Sequence, residues 1–120
     1  MPGNKRSRQR PEPIHGDIIS KHALFLQHRT RPGARDAVQK VWQKHMRPAI
    51  TENAGHEIYI YAFGTDPDRI CAFQAYTSAE AAKAFPKTAA YLAYEQEVAP
   101  LLEGPPQVDV LQPQWIKARG

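Results

Sequence analysis

Apolar positions along the chain change their spacing several times, and each change predicts an element. His22–Arg29 is dense in apolar and aromatic residues and short enough for a strand. From residue 34 to residue 50 the apolar positions recur every three or four residues, which predicts an amphipathic helix. Pro48 lacks a backbone N–H, so we expect it to kink or end this helix early.

Three further strands are predicted from β-branched and aromatic runs. Asn53–Phe63 opens on an Asn-Ala-Gly turn and continues as a strand, and Ile70–Tyr76 is a second run of the same kind. Gly64–Arg69 between them is typical of a hairpin connection. Gln107–Gln112 predicts the last strand.

A second helical region precedes that last strand and is predicted to form in two pieces. Thr77 stands three residues before Glu80, a capping-box spacing that starts a short Ala-rich helix. Pro86 interrupts this helix, and Thr88 can cap a second piece. Gly104 is placed to terminate that piece, with two prolines just beyond it.

The resulting order, β-α-β-β-α-β, predicts an α+β ferredoxin-like fold with a four-stranded antiparallel sheet and both helices on one face. Apolar residues occupy both the odd positions of the strands (Phe25, Phe73) and the even ones (Leu24, Ile60). Helices on one side cover one face, so we expect a two-fold homodimer that packs sheet against sheet.

The charge is concentrated at the N-terminus. The 120 residues carry a formal charge of +4, and residues 1–16 supply three of these four positive charges. We therefore predict a disordered basic tail at 1–18, a nearly neutral domain at 19–116 and a short tail at 117–120. A neutral domain does not favour a nucleic-acid partner.

Other features of the sequence exclude several classes of protein. The single cysteine, Cys71, excludes an internal disulfide and a Cys-rich zinc site, and no metal-ligand spacing appears among the histidines. The chain contains no apolar run of the ~18 residues that a membrane span needs. It also lacks the apolar stretch of a signal peptide, so we expect a cytoplasmic protein without a membrane partner.

Residues 20–114 resemble the antibiotic biosynthesis monooxygenase (ABM) domain family. The resemblance is carried by HALFLQHRTRPGARDAVQKVW, HMRPAITENAGHEIYIYAF, DRICAFQAYTSAEAAKAF and VAPLLEGPPQVDVLQP, and is strongest at Arg47–Ile50, Gly55–His56 and Ala99–Val108. It implies a dimeric α/β barrel of two ferredoxin-like subunits. It also implies oxidation of aromatic quinols or polycyclic phenols by O₂ without metal or flavin, so no cofactor is expected.

The chain departs from the family pattern at three places. Gln74 and Tyr76 stand where family members usually carry an acidic residue and a tryptophan. Ala90 stands where many carry a histidine, near the iron ligand of relatives that cleave haem. The missing histidine argues against haem cleavage and also weakens the transfer of a quinol-oxidation mechanism. All three changes favour the alternative, a non-catalytic, small-molecule-binding or structural dimer of the same fold.

Cofactor-free oxygenation requires a base and an apolar pocket that holds the aromatic ring. His22 and His45 are the favoured bases because both can point between helices and sheet; His56 comes next, and a structural role is the alternative for each. His22 and His28 share a strand face but lie about 20 Å apart, too far to act together. Pocket walls are predicted from the aromatic residues Trp42, Tyr59, Phe73, Tyr76 and Tyr91.

Overall fold

The computed structural model describes residues 21–117, and its elements follow the predicted order. The strands are β1 His22–Arg29, β2 His56–Phe63, β3 Arg69–Tyr76 and β4 Gln107–Leu111. The helices are α1 Arg35–Glu52, α2 Ala79–Ala84 and α3 Ala89–Val98, with 3₁₀ turns at Phe85–Lys87 and Ala99–Leu101. The predicted tail at 1–18 lies outside the described residues, as do residues 118–120.

The four strands form one sheet in the order β2-β3-β1-β4, and every neighbouring pair is antiparallel. This is the α+β ferredoxin-like arrangement that the sequence predicted. The core lies between one face of the sheet and α1, α2 and α3. Across residues 21–117 we find no helix with the length and apolar character that a membrane crossing requires.

Helix α1 continues through Pro48 to Glu52, so the expectation that this proline ends the helix is wrong, and the alternative of a kink stays a prediction. Proline removes one backbone donor from the last turns. The Thr51 hydroxyl donates to the Arg47 carbonyl at 2.7 Å in the same stretch, and Ala49 and Ile50 pack against the core. Burial and this side-chain bond stabilise the turn that the proline weakens.

The start of α2 also differs by one residue from the prediction. The cap is Ser78, whose Oγ accepts from the Ala81 N–H at 3.1 Å, and not Thr77. The Thr77 backbone N–H donates instead to the Gly55 carbonyl at 2.9 Å, which ties it to the turn before β2. Thr88 caps α3 as predicted, since its side chain accepts from the Tyr91 N–H.

The two faces of the sheet have different surroundings. We call the face that packs against the helices the inner face; it carries Leu24, Ala72 and Tyr61. The opposite, outer face carries Phe73 and Ile60, and Ile60 is 55% exposed. Residues 113–116 border part of the outer face near Ala23 and Ala75. The described residues therefore leave apolar surface around Ile60 uncovered, and the homodimer remains a prediction.

Candidate functional site

A cavity of about 420 Å³ lies between the inner face and the helices. The antiparallel register sets its floor, because residues paired across neighbouring strands project on the same face. Two rows of three side chains result, Leu24–Gln74–Tyr59 and Leu26–Ala72–Tyr61. Ala72, on the central strand, presents one methyl group where its neighbours present large side chains, and this leaves the floor deep.

The walls come from α1, α3 and the loop before β4. Trp42 and Met46 project from α1, and Val98 projects from α3. The loop 104–106 contributes Gly104, whose φ of 104° is a backbone conformation that favours glycine. All five tyrosines of the chain line the cavity: Tyr59, Tyr61, Tyr76, Tyr91 and Tyr94.

The aromatic side chains form a connected layer. The rings of Trp42 and Tyr61 stack with centroids 4.1 Å apart, and Trp42 Nε1–H donates to the Tyr59 hydroxyl at 3.3 Å. Burial raises the pKa of Tyr59 to about 12 and raises the pKa of Tyr61 and Tyr76 as well. These phenols are therefore neutral at physiological pH and can donate hydrogen bonds.

A hydrogen-bonded chain of four side chains closes one end of the cavity. Asn53 Nδ2 donates to His56 Nδ1 at 2.8 Å, which places the imidazole proton on Nε2. His56 Nε2 then donates to Gln74 Oε1 at 3.1 Å, and the Tyr76 hydroxyl donates to the same oxygen at 2.7 Å. Burial lowers the pKa of His56, so its neutral form is favoured.

Gln74 is the centre of this chain. It is 5% exposed, and its oxygen accepts both bonds. Within residues 21–117 no hydrogen bond uses the Gln74 side-chain nitrogen. Because Gln74 lines the cavity, its amide N–H groups are available to an oxygen atom of a ligand.

Two other polar atoms at the cavity have no partner among the described residues. They are His28 Nδ1 and the Tyr61 hydroxyl, and both are buried. Burial lowers the pKa of His28, so its imidazole is neutral near pH 7. Buried polar atoms are nearly always paired in native proteins, so each of these two side chains holds an unmet hydrogen-bonding group inside the domain.

The structure brings together some of the predicted site residues and separates others. Trp42, Tyr59, Tyr76 and Tyr91 line the cavity as predicted. His56 lies directly behind it, with its ring 4.3 Å from that of Tyr76.

Three predicted residues lie elsewhere. Phe73 is on the outer face of the sheet and does not line the cavity. His45 Nε2 lies 2.7 Å from Glu97 Oε1, in a hydrogen bond between α1 and α3. His22 is paired with Tyr76 at the end of β1, beyond the residues that line the cavity.

Sequence reasoning missed His28, Tyr61 and Gln74 as site residues. His28 follows Leu24 and Leu26 at alternate positions of β1, so its place on the inner face was available from the period-two pattern. Placing Tyr61 and Gln74 at the cavity requires the register between β2 and β3, and a local sequence pattern does not predict that register.

Metal-ligating groups are not clustered in this domain. Within residues 21–117 no three His, Cys, Asp or Glu side chains come close enough together to hold a metal ion. Cys71 carries a free thiol and is paired with Gln27 and Ala62 in the sheet, on the outer face.

These features define the class of the protein: an α+β ferredoxin-like domain with a tyrosine-lined cavity between sheet and helices. No protein-family model matches the sequence, and no curated protein matches it. Solved structures do match it over more than four-fifths of its length.

Three solved structures illustrate the likeness. A protein of Nitrosomonas europaea, provisionally named an antibiotic biosynthesis monooxygenase, superposes with a TM-score of 0.76 at 16% identity over 82% of this chain and 95% of its own. The Mycobacterium tuberculosis protein Rv0793 gives 0.72 at 27% identity over 83% and 100%. A Chloroflexus aurantiacus protein with the same provisional name gives 0.70 at 22% identity over 84% and 98%. The chain thus has the same fold as these proteins, and the resemblance found in the sequence is confirmed at the level of the fold.

Proposed function

We propose that the protein is a cofactor-independent, monooxygenase-like enzyme that oxidises an aromatic quinol or phenol with O₂. The observation that carries the proposal is the cavity of about 420 Å³ into which all five tyrosines project. Its volume is within the range of pockets that bind small molecules, roughly 300–1,000 Å³. The similarity to proteins named monooxygenases adds support.

The chemistry of the walls favours an uncharged aromatic ligand. Stacked rings such as Trp42 and Tyr61 offer flat apolar surface, and the raised pKa values keep the phenols neutral. Among the described residues that line the cavity, Glu95 carries the acidic side chain, and this side chain is exposed to solvent. A polyanionic substrate would find no matching positive charge there.

The reaction needs a base and a site for O₂. The base removes the phenolic proton, and the electron-rich anion reacts through a ring carbon with O₂ to give a peroxide. At a carbon that carries two hydrogens in its keto form, loss of the remaining C–H proton with cleavage of the O–O bond leaves a carbonyl. One oxygen atom enters the product and the other leaves as water, so the substrate supplies all four electrons.

The hydrogen-bonded chain suits a donor role better than a basic one. His56 uses both ring nitrogens, one toward Asn53 and one toward Gln74, so it has no free lone pair. In this proposal His56 orients Gln74, and the Gln74 amide N–H stabilises negative charge on a substrate oxygen. In this proposal the base is then His28, the histidine among the residues that line the cavity.

A second candidate function is a non-catalytic binding protein with the same cavity. Gln74 favours it, because an amide stands where the family usually carries an ionisable acid. In that case the cavity would bind an aromatic molecule without consuming O₂. The two candidates therefore differ in turnover and not in binding.

We also propose a homodimer formed through the outer face, with the small aromatic substrate and O₂ as the other partners. The support is the apolar surface around Ile60, which the described residues leave exposed beside the half-buried Phe73.

Oxygen consumption tests the proposal. Purified protein is incubated in air with reduced naphthoquinols and anthrones in the presence of a chelator, and isotopically labelled O₂ is traced into the product. We expect uptake above the uncatalysed rate and one labelled oxygen atom per product molecule. No uptake across the panel, together with measurable binding, would reject the enzyme in favour of the binding protein.

Matched variants link activity to the cavity. Ala72→Leu fills the floor and should abolish both binding and uptake, whereas Leu92→Ala, on the exposed side of α3, should change neither. His22→Ala and His45→Ala test the bases favoured from the sequence. Unchanged rates in both would remove them from the mechanism.

A further inference from the structure

The direction of the hydrogen-bonded chain at the end of the cavity is set by a backbone group outside it. Asn53 and Gln74 each carry an amide that can turn over, and His56 can hold its proton on either ring nitrogen. The side chains alone could therefore be paired in two opposite directions. The Gly55 backbone N–H removes this ambiguity, because it can only donate, and it donates to Asn53 Oδ1 at 3.3 Å.

The turn that carries the Gly55 N–H is fixed by packing and by a second hydrogen bond. A Cβ atom on Gly55 would lie 2.9 Å from the Cβ of Ala81, so the turn packs directly against α2. The Gly55 carbonyl accepts from the Thr77 N–H at 2.9 Å. The donor at the start of the chain therefore has a defined position.

From this donor onward each hydrogen bond determines the next. Because its oxygen accepts from Gly55, Asn53 presents Nδ2–H to His56 Nδ1 at 2.8 Å. The imidazole proton then lies on Nε2, which donates to Gln74 Oε1 at 3.1 Å. The opposite direction would place the Asn53 amide nitrogen against the Gly55 N–H, with two donors facing each other. The N–H groups of the buried Gln74 side chain are thus directed to the cavity that it lines.

We propose that Asn53 is a positioning residue that determines the ligand specificity of the cavity from outside it. Asn53 does not line the cavity but lies at the end of α1, in a groove between α1 and α2. By fixing the direction of the chain, it makes the Gln74 end of the cavity a hydrogen-bond donor. A carbonyl oxygen or a ring nitrogen with a free lone pair is selected there, and a group that can only donate is disfavoured.

This selectivity concerns binding and does not require turnover. The further step, in which the same Gln74 N–H stabilises negative charge on a substrate oxygen, rests on the proposed function.

The ring nitrogens of His56 test the direction of the chain in the free protein. Nitrogen-15 NMR distinguishes protonated from unprotonated ring nitrogens, and it is recorded at about pH 8, above the ordinary histidine pKa of about 6.5. We expect the wild-type protein to hold the proton on Nε2. Asn53→Asp should hold a proton on Nδ1, because its carboxylate only accepts.

Glu52→Gln is the matched control, since it changes the neighbouring exposed residue in the same groove and should keep the wild-type tautomer. A wild-type proton on Nδ1, or an unprotonated Nδ1 in Asn53→Asp, would overturn the proposal.

Two bicyclic probes test the specificity. Quinoline carries a ring nitrogen that only accepts, and indole carries an N–H that only donates. Calorimetry is performed at a pH where NMR shows Nε2 of His56 to be unprotonated in Asn53→Asp. We expect the wild-type protein to bind quinoline about tenfold more tightly than indole.

In Asn53→Asp the Gln74 amide must turn its nitrogen toward His56, so this preference should fall to about threefold or less. Glu52→Gln should keep it. Since the other polar groups of the cavity are the same in both variants, the change in preference reports on Gln74. An unchanged preference in Asn53→Asp, or no binding of either probe at about 1 mM, overturns the specificity.

The outcomes separate this inference from the proposed function. If the tautomer and the probe preference both depend on Asn53 but no O₂ is consumed, the positioning role is supported and the enzyme is rejected. If O₂ is consumed while Asn53→Asp changes neither, the positioning role is overturned and the enzyme stands. Should Asn53→Asp fail to fold, the tautomer and the probe preference of the wild-type protein decide.

Discussion

The Tyr76 hydroxyl donates to Gln74 Oε1 over 2.7 Å, between two residues on the same face of one strand. The same oxygen accepts from His56 Nε2 at 3.1 Å. One amide oxygen thus satisfies two buried donors that come from different strands. The amide nitrogen of Gln74 stays available to the cavity, so a single side chain serves both stability and ligand binding.

We expect Gln74→Leu to destabilise the fold by about 2–4 kcal/mol, because the change leaves the Tyr76 and His56 donors unpaired. Gln74→Glu is the matched control, since its carboxylate still accepts from both donors but donates nothing to a ligand. It should lose less stability while losing ligand affinity. Urea denaturation and calorimetry measure the two effects. If Gln74→Leu were as stable as the wild-type protein, this account of the hydrogen-bonded chain would be contradicted.

Tyr61→Phe and Tyr59→Phe should change stability in opposite directions. The Tyr61 hydroxyl is buried and has no partner among the described residues, so its removal should be neutral or stabilise by up to about 1 kcal/mol. The Tyr59 hydroxyl accepts from Trp42 Nε1, so its removal should cost about 1–2 kcal/mol. Thermal unfolding of the two variants checks this. A destabilised Tyr61→Phe would mean that its hydroxyl is paired in the free protein.

The local patterns of the sequence were sufficient for the strands, the helix starts near Arg35 and Ala89, and the element order. They could not assign faces across strands. Tyr59 and Phe73 are both odd-numbered and were predicted to line one pocket, yet β2 pairs with β3 so that Tyr59 lies opposite Gln74. The connection at 64–68 sets this register. A shift of the register by one residue would move every side chain of the strand to the other face of the sheet.

An irregularity in β2 has a similar effect on the site. The register shifts between His56 and Ile58, so that His56, an even-numbered residue, shares the inner face with Tyr59. The contact between His45 and Glu97 was equally out of reach, because it joins two helices that are distant in sequence. Bulges and contacts between residues distant in sequence determine which histidine lies at the cavity. A period-two or helical sequence pattern predicts neither of them.

Stability should fall as the pH drops below about 6.5. Burial lowers the pKa of His28 and His56 in the folded protein from 6.5. The unfolded chain therefore binds these two protons first, and protonation favours unfolding. Urea denaturation at about pH 7.5 and pH 5.5 measures the effect. His28→Leu should reduce the difference, and an undiminished difference in that variant would exclude His28 as a source.

Stability should also fall on the alkaline side. Burial raises the pKa of Tyr59 from 10.0 to about 12 and raises those of the other cavity tyrosines. Between these values the unfolded chain loses phenolic protons that the folded protein keeps, so the unfolded state is favoured as pH rises. Phenolate absorbance and circular dichroism should therefore change together. Tyrosine ionisation near pH 10 with an intact fold would show that the cavity phenols are solvated.

Ile60→Glu should convert the expected dimer into a monomer. Ile60 is 55% exposed on the outer face of the sheet, where a second copy would cover it, and a buried carboxylate without a partner opposes association. Leu92→Glu is the matched control, because Leu92 is 53% exposed but lies on α3, on the helical side of the protomer. Light scattering at micromolar concentration should give the mass of two chains for the wild-type protein and Leu92→Glu, and of one chain for Ile60→Glu. A dimer that survives Ile60→Glu and dissociates with Leu92→Glu would move the interface from the sheet to the helices.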